Sequence, residues 1–459
     1  MPENTVLSKI SQQATLAAIW AYFLVPYFPA NTPQFFGKSI SVPQVVLLFA
    51  FICAGFSFLY GVIRRREQIS RPILELGGVL GALLFVLALS TFVAHGASQE
   101  SVLLVTSLAG IVMTVFTALR LSRASIDIFF VSIAWVTIVA CILGLAQFYF
   151  FGDAASPAAY LGQEGHVFNA TGFANYSSLF GASLALFMPL FLLLGHLRYS
   201  GKRVLWTVAF LMSISALLLT FSRSSLLSAC IGCALVYAWS FSKKYDRKYT
   251  AAILLLSILV GIWTLTYVPP KNYASEIFTY HTSAGEVLSG RFSALIPKAW
   301  GVRGINNTTT KSAPSIEWSA YNRYVFYRVA KDMLSYSVPS FVFGYGLQGF
   351  NKQWEYFRGD FGTPTGLDPH STYIEVAVAG GVCGLLALAL FLGLLYKYGW
   401  SIRIREPAVI GLLGGLTAML VDGLFHTYFY TKYFWIVVGV TVALIWSAGR
   451  QSLDDTLQS

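Results

Sequence analysis

His370 stands in GLDPHSTYIEVAVAGG, where a polar loop turns into an apolar run. Imidazole ionises close to neutral pH, so at a wet boundary it can take a proton from a hydroxyl. Asp368 and Pro369, just ahead, read as a helix N-cap and first helical position, which puts His370 in the first turn. Free amides and the helix dipole there disfavour an imidazolium and welcome an anion. A neutral base beside such a helix end suits attack by a hydroxyl on a carbon that bears a phosphate leaving group. The plainer alternative is a histidine with one wet edge.

Four arginines could hold that phosphate. Arg223 lies in TFSRSSLLS, between two apolar runs that leave almost no loop. A cation at the membrane surface needs a partner, and a guanidinium fork grips phosphate bidentately. The alternative for Arg223 is an arginine snorkelling from a helix end. Arg323 and Arg328, in NRYVFYRVAKD, are five residues apart and point to different faces, so one of them at most serves a shared site. Arg291, in LSGRFSAL, is a weaker candidate upstream.

The elements that must position these residues belong to a membrane protein. Only 11% of the 459 residues are charged against 56% apolar, and mean hydropathy is +0.64; a soluble domain carries about 25% charged residues. Apolar runs of roughly 18–25 residues suffice to cross a hydrocarbon core of about 30 Å. They recur near 12–30, 43–63, 73–94, 101–119, 126–151, 173–195, 204–221, 224–241, 250–268, 371–396, 407–424 and 428–447. No cleavable leader is expected. The net charge of +11 is not a nucleic-acid footprint, because the basic residues occupy alternate loops: Arg64–Arg66 and Arg71, Arg120 and Arg123, Arg198–Arg203, Lys243–Lys248, Lys397–Arg405. By the positive-inside rule both termini are then cytoplasmic, and Arg223, His370 and the long loop before it lie outside. Within that loop a helical period from Tyr321 to Tyr336 reads as a surface helix stopped by Pro339.

Two other motifs carry no chemistry. FGYGLQGF holds a G-x-G-x-x-G at Gly344, Gly346 and Gly349, but without a strand before it and a helix after it in a βαβ unit it means tight turns. Cys230 and Cys233 span one helical turn at lipid depth and read as packing.

PHSTYIEVAVAGGVCGLLALALF resembles the H-[NS]-x-Y-[LI]-E…G-x-x-G-L signature of the bacterial O-antigen ligase and O-antigen polymerase superfamily. NRYVFYRVAKDMLSYSVPSFVFGYGLQGF resembles that family's arginine-bearing helix running into a G-x-G turn, and TFSRSSLL its S-R segment. GHVFNATGFANYSSLFGASLALFMPL resembles its outside loop, with Asn175-Tyr176 where an Asn-Pro-Asn core usually stands. The twelve apolar runs and the long outside loop, together with the resemblance, make this an all-α polytopic membrane protein of about twelve transmembrane helices, with one large, partly helical periplasmic loop before the tenth. Its parts would be an N-terminal bundle (1–268), the periplasmic loop domain (269–370) and a C-terminal three-helix segment with a short cytoplasmic tail (371–459).

The implied function is transfer of a glycan from a polyprenyl (undecaprenyl) diphosphate carrier to an acceptor hydroxyl, on the periplasmic face of a bacterial inner membrane. His370 would be the base and Arg223 and Arg323 would hold the diphosphate; Arg328 and Arg291 stay as candidate substrate-binding residues from their positions in the sequence alone. The displacement would be single and inverting, with no metal or cofactor. Partners would be the lipid-linked donor, a lipid or glycan acceptor and membrane lipid, with no nucleic acid. A ligase, a polymerase and a protein O-oligosaccharyltransferase share these motifs. A transporter or flippase is the rival from another class, and the scarcity of charge inside the helices disfavours it.

Overall fold

The computed structural model describes residues 70–96, 121–146, 177–242, 247–266, 315–359, 369–429 and 432–458, with a few isolated positions before residue 120. Apart from a two-residue antiparallel ladder, β1 (Gln34–Phe35) with β2 (Lys38–Ser39), the described chain is helical. Its helices are α1 (Arg71–His95), α2 (Arg123–Ala146), α3 (Ser177–His196), α4 (Arg203–Leu219), α5 (Arg223–Ser242), α6 (Arg247–Thr266), α7 (Ser315–Ser335), α8 (Val338–Phe343), α9 (Gly349–Phe357), α10 (Thr372–Ile402), α11 (Ala408–Asp422) and α12 (Lys432–Gln458). Among the described residues α1, α2, α3 and α10 are long and apolar enough to cross a membrane, and α4, α11 and parts of α6 and α12 are shorter apolar helices. The protein is an all-helical polytopic membrane protein. Nine of the expected spans coincide with described helices; the spans at 12–30, 43–63 and 101–119 lie outside the described residues, isolated positions aside.

α3 is the buried centre, with nearly every residue from Phe180 to His196 enclosed. It packs on α4, α5 and α11. The approach to α11 is possible because Gly415 has no side chain: a Cβ there would sit 2.0 Å from the Leu186 carbonyl oxygen. Seated this way, the N-terminus of α5 and the C-terminus of α11 meet at one end of the bundle.

The basic loops gather at the opposite end. Arg123 pairs with the buried Glu406 in the α10–α11 connection, and its guanidinium lies 5.7 Å from the Tyr199 ring. Tyr199 donates to Asp127, and Arg203 covers the Tyr249 ring at 3.8 Å.

The segment before α10 folds as a three-helix cap. Val325, Phe326, Val329, Ala330 and Met333 recur at helical spacing along α7 and pack on Phe350 and Trp354 of α9 and Val378 of α10. Pro339 does not merely stop α7, as the sequence suggests. Ser337 caps a new helix in a reciprocal capping box with Ser340, and Pro339 takes its first turn, where a missing N–H costs nothing.

Candidate functional site

The glycine turn that follows α8 joins the cap to the bundle. α10 is broken at Gly381 (φ +60°, ψ −159°), which interrupts its hydrogen-bond ladder. The Val378 and Ala379 carbonyls accept from Tyr345 N–H (2.7 Å) and Gly346 N–H (3.0 Å). Ser90 and Thr91 of α1 accept from Gly346 N–H and Leu347 N–H, each at 2.9 Å. Gly344 and Gly346 both have positive φ, and a Cβ on either would strike neighbouring backbone within 2.6 Å. The three-glycine motif is therefore a docking turn, as its context in the sequence suggests.

Docking the cap sets α7 over the end of the bundle where α5, α10 and α11 converge. Tyr327 of α7 donates to the Leu424 carbonyl in the α11–α12 connection at 2.8 Å. Thr372 N–H donates to the carbonyls of Gly423 (2.8 Å) and His426 (3.0 Å), and its hydroxyl links His426 O to Tyr428 N–H. Phe326 places its ring 5.5 Å from the ring of His370.

His370 departs from the expected position. Asp368 lies outside the described residues, and α10 starts at Thr372 with Ser371 as N-cap. His370 sits before the cap in the left-handed region (φ +49°), which a residue with a Cβ rarely occupies. Its neutral state comes from elsewhere than the first-turn dipole. Burial, with His426 and the Arg323 guanidinium nearby, pushes its pKa down to about 4.

Arg323 is largely enclosed, and burial lowers its pKa without discharging so strong a base. Its guanidinium lies 5.9 Å from the Phe425 ring, and its buried Nε has no hydrogen-bond partner among the described residues. Asp422, Tyr428 and Tyr327 act on its charge, and Arg323 in turn acts on the charge of Arg223. Arg223 opens α5 after a two-helix turn in which the buried Phe221 takes positive φ. His370, Arg323 and Arg223 are thus brought together from three elements. Arg328 is not: it is exposed and donates to Tyr324 at 3.4 Å on its own helix. Arg291 lies outside the described residues.

Sequence reasoning missed the group opposite the arginines. Asp422 is fully buried and accepts from Ser225 (3.1 Å) and Tyr428 (2.7 Å). His426 Nδ1 stands 3.3 Å from both Asp422 Oδ1 and Ser224 Oγ. The available signal was an Asp and a His four apart at the end of an apolar run, in VDGLFHTY, a spacing that puts both on one face. One end of the molecule therefore offers a neutral imidazole, two guanidiniums, of which Arg323 has a buried Nε with no partner among the described residues, and a buried carboxylate that offsets part of their charge.

Residues 207–389 match the O-antigen ligase family. The match supports the O-antigen ligase and polymerase superfamily, and with it glycan transfer of that general type by a bacterial integral membrane protein. The O-antigen ligase match covers less than half of the chain, from within α4 into α10. It includes Arg223, Arg323 and His370 and ends before Asp422 and His426. No curated protein matches the chain.

Proposed function

We propose that this protein transfers a glycan from a polyprenyl diphosphate carrier to an acceptor hydroxyl, at the outer face of the bacterial inner membrane. The observation that carries this reading is the buried Nε of Arg323, with no partner among the described residues, beside a histidine held neutral. A cation with unused donors in an enclosed site suits an anion, and a diphosphate supplies several acceptor oxygens. His370 takes the acceptor hydroxyl proton as the oxygen attacks the anomeric carbon. The bond from that carbon to the phosphate oxygen breaks on the opposite face, and the polyprenyl diphosphate leaves with both bonding electrons. Arg323 and Arg223 hold the leaving group and stabilise its growing charge.

The bound anion also tunes the base. A diphosphate near His370 favours the imidazolium and raises the pKa from its low value in the free protein, so the base strengthens when the donor arrives. The parts are an N-terminal bundle supplying Arg223, a periplasmic cap supplying Arg323, and a C-terminal segment supplying Asp422. Both termini are cytoplasmic in this arrangement.

The test is reconstitution with a polyprenyl-diphosphate-linked glycan and, in turn, a lipid A-core acceptor, a second lipid-linked glycan and a hydroxyl-bearing peptide. One acceptor is expected to be glycosylated with anomeric inversion and release of polyprenyl diphosphate, and His370→Ala to abolish this while still binding donor. Movement of intact donor across the bilayer without bond cleavage would establish a transporter instead. Near wild-type turnover by His370→Ala would remove the base from the scheme.

A further inference from the structure

The cap carries a surface that the chemistry does not use. From Met333 to Asn351 there is no charged residue, and this stretch holds α8 and the docking turn. Val338 is 76% exposed, Phe341 53% and Phe343 46%. Tyr336, Tyr356 and Phe357 cluster beside them, with Tyr336 5.5 Å from Phe357 and Tyr356 4.8 Å from it. In water, such a contiguous apolar edge is a liability.

Its depth can be counted from the far end of the bundle. There Glu75 of α1 accepts from the Tyr398 hydroxyl of α10, so these two residues share one level, beside Lys397 and Trp400 at the wet boundary. Going outward, Thr91 contacts Gly346 sixteen residues along α1, about 24 Å at about 1.5 Å per residue. Gly381 contacts Val342 and Phe343 seventeen residues back along α10, about 25 Å by the same rise. Both counts fall short of a hydrocarbon thickness of about 30 Å. The helices that receive the docking turn also carry exposed apolar positions: Phe85, Leu89, Phe92 and Val93 of α1 and Leu386 of α10.

We infer that α8 is immersed in the bilayer, with Val338, Phe341 and Phe343 among the outer ends of the acyl chains and the tyrosines at headgroup level. The cap is therefore anchored in lipid and does not stand above it, and this anchor sets the height of Arg323 relative to the headgroups. The inference rests on the proposed function only in naming the outer leaflet; immersion itself is independent of the chemistry.

The test uses full-length protein with its five native cysteines replaced, reconstituted in phosphatidylethanolamine–phosphatidylglycerol vesicles. A nitroxide is placed at Val338→Cys, Phe341→Cys or, as the wet reference, Lys331→Cys on the exposed face of α7. Labels at Val338 and Phe341 are expected to relax several-fold more with oxygen, which concentrates in lipid, than with a water-soluble nickel chelate, and the Lys331 label to do the reverse. Nickel access at Val338 and Phe341 equal to that at Lys331 would overturn the inference. Val338 is the most exposed of the set, so its substitution leaves the packed face of the cap untouched. Neither readout needs turnover, so a failure of the glycan-transfer reading leaves this one decided, and the converse also holds.

Discussion

At the residue scale, His370 makes a pH profile diagnostic. A base works only when neutral, so activity is lost as pH falls through its pKa. With the free-protein value near 4, kcat/KM is expected to stay level down to about pH 5 and to fall about tenfold per unit below pH 4. The acid limb of kcat should lie at higher pH than that of kcat/KM, because bound diphosphate favours the imidazolium. An acid limb of kcat/KM at the ordinary histidine value of 6.5 would show a solvated imidazole. The arginines make a second diagnostic. Arg323→Lys keeps the charge but loses the fork, and is expected to lower turnover on the order of 10²-fold, as loss of one charge-stabilising donor commonly does. If Arg223 and Arg323 grip one phosphate, their alanine variants will couple by more than about 0.5 kcal/mol in a double-mutant cycle on kcat/KM. Additive losses would separate the two sites.

At the element scale, the break in α10 holds the cap. Gly381→Val puts a β-branched residue at positive φ and a Cβ 2.3 Å from the Val342 backbone. The backbone strain alone costs about 1–3 kcal/mol. Gly78→Ala is the control, since nothing lies within 4 Å of a Cβ there, and helix propensity makes it neutral or stabilising by up to about 1 kcal/mol. Melting temperature and protease resistance of the cap should fall for the first variant and hold for the second; equal behaviour would mean that the docking turn contributes nothing.

The same element shows what local sequence reading can and cannot reach. The spans were legible because a lipid-crossing helix must be about twenty apolar residues long. The amphipathic α7 and the meaning of the glycine turn were legible from spacing and context. The break at Gly381 was not, because a Gly-Gly pair inside an apolar run also suits an intact helix. The slip of the α10 start from Asp368 to Ser371 follows from Ser371 taking the cap, with Thr372 bonded to a connection fifty residues away. The Asp422–His426 group was visible only as two polar residues, since one of its partners, Ser224, is 202 positions distant. Spacing separated Arg323 from Arg328 without choosing between them, and the resemblance pointed to Arg323; in the structure Arg323 is the more enclosed and Arg328, five residues on, lies on the exposed flank as its angular offset requires.

At the scale of the whole molecule, charge separates the two ends. Arg123, Arg203, Arg403 and Arg405 lie at the end opposite His370, so one bilayer surface should meet all of them and the other should meet the site. In a background free of native thiols, Lys331→Cys is expected to react with an impermeant maleimide in intact cells, and Ile404→Cys, exposed in the α10–α11 connection, only after lysis. Labelling of Ile404→Cys from outside would invert the protein and move the proposed chemistry to the cytoplasm.

The joint between cap and bundle has a further consequence. On the cap side its bonds come from main-chain amides, those of Tyr345, Gly346 and Leu347, which any sequence offers provided the glycines beside them remain. That turn is indifferent to the side chains on the outward face of the cap, although Tyr327 and the packing on Val378 hold the inward face. The outward surface of α7 and α9 is then free to diverge without loosening the docking turn, and a cap transplanted with its glycine turn should dock on a related bundle that keeps the Ser90 and Thr91 hydroxyls and the Gly381 break. If the proposed transfer holds, exchanging that one segment between related proteins changes what stands over Arg323 while the membrane bundle stays as it was, as a lathe takes a different tool.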